Sequence, residues 1–189
     1  MMSHNIFIDF DGVVSNTIET IVRLYDEDYS SRPEYRQVPW VDVNSWDFKE
    51  LNCATPEEIN EYFKHMRFFE NIVLMPNVEY ALNKISEKYD TYIVSMGNNE
   101  NLFLKRLWLS VYSGFKNIQF IGCNFADYSD KRHIDMSGGI FIDDLGENLE
   151  TSNADTKICF GDIYPWNKNW KGQRCYNWYE TLRYLGLEE

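Results

Sequence analysis

Pairs of acidic residues follow two of the apolar segments in this sequence. Asp9 and Asp11 come at the end of one segment, and Gly12 follows them directly. Asp143 and Asp144 come at the end of the other. Two carboxylates this close repel each other unless a proton or a cation lies between them, and Mg²⁺ prefers carboxylate and water oxygens. The two pairs therefore predict a magnesium site, with capping of the following turn as the alternative interpretation of each pair.

Two further side chains are suited to binding an anion. Ser95 ends another apolar segment just before a predicted helix, where a hydroxyl and free backbone amides favour a phosphate. Lys131 lies in a polar stretch between two predicted strands, and its ammonium would offset the negative charge that carboxylates and a phosphate bring together. An ordinary turn serine and a solvated lysine are the alternatives, and Arg132 competes with Lys131 for the same role.

These side chains lie at or near the ends of short apolar segments that alternate with helical patterns. Segments of about 4–8 residues that end at Gly, Asn or Asp are typical of strands buried in a parallel sheet. The alternation predicts an α/β fold with a doubly wound parallel sheet. The predicted strands are residues 5–10, 91–95, 118–122, 139–143 and 157–161, and the predicted helices are residues 17–29, 78–88, 101–112 and 179–185, with one more after Thr55.

The stretch between the first two predicted strands departs from this alternation. It contains helical patterns and a section with proline and tryptophan, but no strand–helix–strand unit. Thr55 followed by Pro56, with Glu58 three residues after the threonine, is typical of a helix start. We expect a core of residues 1–15 and 76–189, and a small, mostly helical cap of residues 16–75 inserted after the first strand. Such a cap would lie over the carboxyl ends of the strands, where open α/β folds bind ligands.

Aromatic residues in the predicted cap offer flat faces for a substrate. Trp46 is the best candidate to stack on a flat substrate ring, a contact worth about 1–3 kcal/mol where the ring is a base. The chain has 6 Trp, 13 Tyr and 12 Phe, so a structural role is the ordinary interpretation of any one aromatic residue. Phe68 and Phe69 are expected to pack where the cap meets the core. The segment Pro165–Trp170 is expected to be a surface loop at the sheet edge, outside catalysis.

The composition limits the classes of partner. There are 18 basic and 30 acidic residues among 189, and the resulting net charge of −12 argues against a nucleic-acid polymer as partner. No apolar run approaches the roughly 18 residues of a membrane span, and the start lacks the pattern of a secretory signal. We expect a cytoplasmic protein without membrane contact, in which the four scattered cysteines are free thiols.

The order of these motifs resembles that of a known superfamily. Asp9-x-Asp11, Ser95, Lys131 and Asp143-Asp144 follow one another as the motifs of the haloacid dehalogenase (HAD) superfamily of phosphotransferases do. More closely, the sequence is similar to the 5'(3')-deoxyribonucleotidases, and the resemblance covers essentially the whole chain. The matching pieces are Asp-Gly-Val-Val at 11–14, Phe-Phe-Glu at 68–70, Met-Pro-Asn-Val-Glu-Tyr-Ala-Leu at 75–82, Asp-Lys at 130–131, Phe-Ile-Asp-Asp at 141–144, and Trp178.

The resemblance implies a Mg²⁺-dependent phosphomonoesterase with a HAD-like, Rossmannoid core. Its partner would be a small nucleotide, with deoxyribonucleoside monophosphates as the expected substrates. Asp9 would be the nucleophile that becomes an aspartyl-phosphate. Asp11 would protonate the leaving oxygen and then act as base on the hydrolytic water. Mg²⁺ would be held by the Asp9 carboxylate, the Asp11 backbone carbonyl, and Asp143 or Asp144.

The resemblance also implies a phosphate site formed by Ser95, the Met96 position and Lys131. Ser95 stands where those enzymes have threonine, and Met96 follows where a second small hydroxyl is usual. Ser129 stands where a phosphate-side arginine is expected, and Thr17 stands where an aromatic residue contacts the base. These departures leave the expected phosphatase chemistry unchanged. They affect positions that would set the preference for a deoxypyrimidine base. A HAD phosphatase for another small phosphate, such as a sugar phosphate, and a non-catalytic HAD-like binding module are the alternatives, and a homodimer is left open.

Overall fold

A parallel sheet forms the centre of the computed structural model, which describes residues 4–112, 114–115 and 117–188. Its six strands lie in the order β3-β2-β1-β4-β5-β6, and all neighbouring strands are parallel. The strands are β1 (His4–Asp9), β2 (Tyr89–Gly97), β3 (Ile118–Asn124), β4 (Ile140–Asp143), β5 (Thr156–Phe160) and β6 (Gln173–Cys175). This arrangement confirms the predicted α/β fold.

Among the described residues, seven α-helices connect these strands or follow the last one. They are α1 (Thr17–Tyr29), α2 (Pro56–Tyr62), α3 (Met66–Glu70), α4 (Val78–Ser86), α5 (Asn99–Val111), α6 (Gly146–Thr151) and α7 (Trp178–Tyr184), with a short 3₁₀ helix at Trp40–Asp42. The longest of them, α1 and α5, have 13 residues each. In the part of the chain that the structure describes, no helix is long and apolar enough to cross a membrane.

Both faces of the central strands are buried, which explains why β1 is apolar at successive positions. Ile6 and Ile8 belong to the larger hydrophobic cluster, which also contains the apolar faces of α1, α4 and α7. Phe7 points to the opposite face, in a smaller cluster with Leu149 of α6. Trp178 of α7 is fully buried and donates its indole N–H to the carbonyl of Val13, just after β1. The four cysteines are buried free thiols.

The sequence predicted five of the six strands and missed the edge strand. β6 has three residues, two of them Gln173 and Arg174, so it contains no apolar run that a pattern could reveal. Helix α5 begins at Asn99, two residues before the predicted start, because the side chain of Asn98 accepts a hydrogen bond from the backbone amide of Asn101 and caps the helix. The predicted helices at 17–29 and after Thr55 are present, and the second begins with the expected cap at Thr55.

The segment between β1 and α4 leaves the sheet and returns to it at one place. The backbone amide of Asn16 donates to the carbonyl of Val73 at 2.8 Å, and the amide of Met75 donates to the carbonyl of Val14 at 2.9 Å. Helices α1, α2 and α3 and the 3₁₀ helix lie between these paired ends. Phe68 in α3, like its neighbour at 69, is buried in the larger cluster. The division of the chain into a core and a cap at residues 16 and 75 stays a prediction.

Candidate active site

The carboxyl ends of three neighbouring strands meet at the candidate site. Asp9 ends β1, Asp143 ends β4, and Ser95 lies near the end of β2. Because β2, β1 and β4 are adjacent and parallel, these side chains are brought to the same edge of the sheet. A cavity of about 590 Å³ opens there, and its walls come from the strand ends, α5, α6 and the segment before α4. The position is the one where open α/β sheets bind ligands.

Three buried carboxylates lie together at this cavity, of which Asp9 and Asp144 line it and Asp143 is fully buried beside them. Oxygens of Asp9, Asp143 and Asp144 lie within 4.8 Å of one another, and no more than 7% of any of these residues is exposed. The ammonium of Lys131 lies 2.7 Å from Asp9 and 2.6 Å from Asp143. One ammonium neutralises one of three ionised carboxylates, so two negative charges are left in a buried space. A set of oxygen donors with this excess charge fits a divalent cation such as Mg²⁺.

The protonation equilibria reflect this crowding. Burial raises the pKa of Asp9 to about 7, with Lys131 opposing the rise and Asp143 adding to it. Burial and the charge of Asp143 likewise raise the pKa of Asp144 well above its ordinary value, against the hydrogen bond from Trp166. Burial acts to lower the pKa of the Lys131 ammonium, but Asp143 and Asp9 outweigh it, so that the pKa is raised. The lysine therefore stays charged between its two carboxylates.

Asp143 has hydrogen bonds on both carboxylate oxygens. Its Oδ2 accepts from Lys131 and, at 3.0 Å, from the side-chain amide of Asn148 in α6. Its Oδ1 accepts from the backbone amide of Leu145 at 2.8 Å. The start of α6 thus fixes this carboxylate, and both of its oxygens are engaged by protein donors. The capping interpretation from the sequence holds in part, since the turn after β4 does bond to Asp143.

Asp144 is held by a different part of the chain. Its Oδ2 accepts the indole N–H of Trp166 at 2.8 Å, and its backbone carbonyl accepts from Asn167 at 3.0 Å. Close to the same carboxylate lies Gly12, whose φ is +76°. A Cβ at this glycine would come within 2.7 Å of Oδ2 of Asp144. Only glycine satisfies both the left-handed backbone and the close approach.

Asp11 lies in a second polar network beside the three carboxylates. Its Oδ2 is 2.5 Å from the ammonium of Lys105, and its Oδ1 accepts from the hydroxyl of Thr17 at 2.8 Å. Lys105 also donates to the hydroxyl of Ser95 at 2.7 Å and to the carbonyl of Met96 at 3.2 Å. The Asp11 side chain is 20% exposed and lines the cavity. Among the described residues, its carboxylate is not part of the cluster formed by the other three.

The structure brings together the residues that the sequence singled out. Beyond the carboxylates, Met96 and Trp46 line the cavity, and Trp46 lies 5.6 Å from Trp166 between ring centroids. Arg132, the competitor of Lys131, is instead exposed and pairs with Asp130, two residues before it in the chain. The roles predicted for these residues stay predictions, since no ligand accompanies the chain.

The sequence interpretation missed two residues of this site. Lys105 lies in the predicted helix 101–112 but was not singled out by the sequence analysis. It is 1% exposed and lies on the buried face of α5 with Leu104 and Trp108. A lysine on that face is a signal, because buried lysines need an acidic partner. The segment Pro165–Trp170 was expected to stay outside catalysis, and that stays a prediction, but the structure places Trp166 in hydrogen-bond contact with Asp144. Only the topology brings it there, since β5 lies next to β4.

Comparisons with known proteins agree with this geometry. The family model described as "5' nucleotidase, deoxy (Pyrimidine), cytosolic type C protein" matches residues 3–185. A 5'(3')-deoxyribonucleotidase from Clostridium acetobutylicum is 28% identical over 177 residues, which cover 92% of this chain and 90% of the relative. A 5'(3')-deoxyribonucleotidase from Bacillus subtilis is 25% identical over 194 residues, which cover 97% of this chain and 99% of the relative.

Solved structures resemble the fold. A haloacid dehalogenase-like family hydrolase from Streptococcus pneumoniae has a TM-score of 0.59 at 14% identity, covering 97% of this chain and 98% of that chain. A HAD-type hydrolase from Bacillus subtilis, solved bound to magnesium, has a TM-score of 0.57 at 12% identity, covering 98% and 99%. At these identities the likeness establishes the fold of this chain as HAD-like.

The role of Lys131 as counter-ion predicts a stability effect. In Lys131→Met, the three buried carboxylates lose their ammonium, and we expect a loss of about 3–5 kcal/mol in the free energy of unfolding. Urea denaturation without divalent cations measures it at pH 8, above the pKa of about 7 that Asp9 has beside Lys131. There the variant either keeps an uncompensated buried charge or takes up a proton, and both cost stability. Lys168→Met, at an exposed position, is the control and should change stability by less than about 0.5 kcal/mol. Equal stability of the two variants would contradict this role.

The close approach of Gly12 to Asp144 predicts that a side chain at position 12 lowers the stability of the protein. Gly12→Ala should cost more than Gly186→Ala, because both glycines have positive φ but a Cβ at Gly186 meets nothing within 4 Å. The left-handed backbone alone costs an alanine about 1–2 kcal/mol, and the clash with Asp144 adds to this at Gly12. Urea denaturation of both variants measures the difference. If Gly12→Ala is no less stable than Gly186→Ala, the close packing on Asp144 is not as described.

Proposed function

The chain belongs to the 5' nucleotidase, deoxy (pyrimidine), cytosolic type C family, and from this premise we propose that it is a Mg²⁺-dependent nucleotidase acting on deoxyribonucleoside monophosphates. Membership makes it a phosphoric monoester hydrolase. The metal, the covalent mechanism and the substrate are our proposal. The observation that carries it is the buried group of Asp9, Asp143 and Asp144 with Lys131 at the cavity.

We propose that Asp9 and Asp144 supply carboxylate ligands to the cation, with the backbone carbonyl of Asp11 as a further ligand. Asp143 supports the site from behind, because both of its oxygens already accept hydrogen bonds from protein donors. In Asp144, by contrast, the side-chain hydrogen bond from Trp166 engages only Oδ2. Bound Mg²⁺ would supply positive charge next to the phosphoryl oxygens, where negative charge accumulates during transfer.

Asp9 is proposed as the nucleophile because it ends the central strand β1 and faces the cavity. In the first step, an Asp9 carboxylate oxygen bonds to phosphorus, the bond from phosphorus to the nucleoside oxygen breaks, and that oxygen takes a proton from Asp11. In the second step, water attacks the aspartyl-phosphate, Asp11 takes the water's proton, and inorganic phosphate leaves. Covalent catalysis of this kind divides one difficult displacement into two easier ones.

The network around Asp11 supports its role in proton transfer. Lys105 and Thr17 each hold one of its carboxylate oxygens, so that the side chain keeps one orientation at the edge of the cavity. Lys105 and Thr17 are themselves almost fully buried. A general acid must lie within hydrogen-bond reach of the leaving oxygen, and fixed partners on both oxygens supply that placement. We assign Lys105 as a positioning residue for Asp11.

Lys131, Ser95 and the Met96 position are proposed to form the phosphate site. Lys131 already lies between Asp9 and Asp143, so its charge would be next to a phosphoryl group on Asp9. The Ser95 hydroxyl and the carbonyl of Met96 are held by Lys105. Positive charge and preorganised donors at this place would stabilise the charge that develops during phosphoryl transfer.

The base is proposed to lie against the aromatic wall of the cavity. Trp46 and Phe63, both from the segment 16–75, line it together with Phe125 and the side chain of Asn60. Trp46 is packed edge to face on Phe48 at 6.1 Å, which holds its ring in place for stacking. We propose that the segment 16–75 acts as the cap that carries these substrate contacts.

Phosphate release from a panel of compounds tests the proposal. Deoxyribonucleoside and ribonucleoside monophosphates and sugar phosphates are each assayed with Mg²⁺ and with a chelator. We expect nucleotide hydrolysis that requires Mg²⁺. Asp9→Asn should lower turnover by about 10⁴-fold or more, because it removes the nucleophile, whereas Asp127→Asn at an exposed position should turn over like the natural protein.

Each other outcome excludes a part of the proposal. Substantial turnover by folded Asp9→Asn would contradict the covalent mechanism. Hydrolysis of sugar phosphates without hydrolysis of nucleotides would contradict the substrate and favour another HAD phosphatase. If the folded natural protein releases phosphate from no compound in the presence of Mg²⁺, a binding module is the better interpretation.

A further inference from the structure

Trp166 contacts two parts of the site at once. Its indole N–H donates to Oδ2 of Asp144 at 2.8 Å. The centroid of its ring lies 5.6 Å from the ring centroid of Trp46, which belongs to the aromatic wall. We propose that Trp166 is a positioning residue that orients Asp144 toward the cation and packs against Trp46. This inference rests on the proposed function, because it needs Asp144 to be a metal ligand.

The carboxylate of Asp144 has two close neighbours at Oδ2. One is the backbone at Gly12, so close that a Cβ there would overlap the carboxylate. The other is the Trp166 indole, a donor with a single N–H and no acceptor. Side-chain rotation of Asp144 would therefore either meet the Gly12 backbone or lose the indole bond. Partners of this kind orient metal ligands and commonly change metal affinity by about 10–100-fold when removed.

Trp166 is itself held firmly by its surroundings. Its ring stacks on Tyr164 with centroids 4.6 Å apart and an angle of 3° between the planes. Its neighbour Asn167 is 1% exposed and donates to the carbonyls of Asp144 and Asp162. Arg174 of β6 donates to the carbonyl of Asn167 at 3.0 Å. The short edge strand thus fixes the loop that places Trp166 against Asp144.

Trp170 provides a matched comparison within the same loop. Like Trp166 it is half-buried and donates its indole N–H to an oxygen, in this case the backbone carbonyl of Gln173 at 2.9 Å. It does not line the cavity, as far as the described residues show. A purely structural role of a loop tryptophan would give similar results when either residue is replaced. A positioning role would affect metal binding at Trp166 alone.

Calorimetric titration of the nucleotide-free protein with Mg²⁺ tests the proposal. Trp166→Phe keeps an aromatic ring but removes the donor to Asp144, and we expect it to raise the Kd for Mg²⁺ by about tenfold. Trp170→Phe should leave this Kd unchanged. In the phosphatase assay, Trp166→Phe should need correspondingly more Mg²⁺ for half-maximal rate. Trp46→Leu, which retains the Asp144 bond, should instead raise KM for a nucleotide with little change in the Mg²⁺ requirement.

The natural protein gives an independent measurement that does not depend on how a variant folds. In a protein with ¹⁵N-labelled tryptophan, the indole N–H resonance of Trp166 should shift on addition of Mg²⁺, while that of Trp170 stays in place. A Kd for Trp166→Phe equal to that of Trp170→Phe, or an unshifted Trp166 resonance at saturating Mg²⁺, would overturn the inference. If the natural protein binds no Mg²⁺ at all, the metal part of the proposed function fails instead.

Discussion

The burial of three carboxylates with a single ammonium is the constraint on which the site depends. Asp9, Asp143 and Asp144 are placed together because β1 and β4 are parallel neighbours that end at the same edge of the sheet. Lys131 neutralises only part of their charge, and burial makes the remaining charge costly. In the proposed function, a divalent cation would use this excess charge, so that the feature that costs stability would support catalysis.

The surrounding structure fixes each carboxylate by a different element. The start of α6 bonds to Asp143, the loop between β5 and β6 bonds to Asp144, and Lys131 bonds to Asp9. Asp11 belongs to a separate network with Lys105 of α5. This separation gives two neighbouring acids different surroundings, one among carboxylates and one beside an ammonium. In the proposed mechanism, a cation bound at Asp9 would keep that carboxylate ionised as the nucleophile.

Much of this arrangement could be predicted from the sequence, because it follows from local patterns. Apolar segments that end in acidic residues predict strands with carboxylates at one edge, and Asp9, Ser95 and Asp143 are placed as expected. Lys105 and Trp166 were not predicted, because their contacts depend on how α5 crosses the sheet and on the strand order at the far edge. The edge strand β6 was missed because its three residues carry no apolar pattern. The positions of these residues are determined by contacts between distant segments of the chain, which local sequence patterns do not reveal.

The position of the cation tests the account most directly. Crystals of the natural protein grown with Mn²⁺ in place of Mg²⁺ would locate the ion by its anomalous scattering. The account predicts a single strong peak at the carboxyl ends of β1 and β4, within about 2.5 Å of carboxylate oxygens of Asp9 and Asp144. A peak elsewhere with none at this place, or no peak at millimolar Mn²⁺, would contradict it.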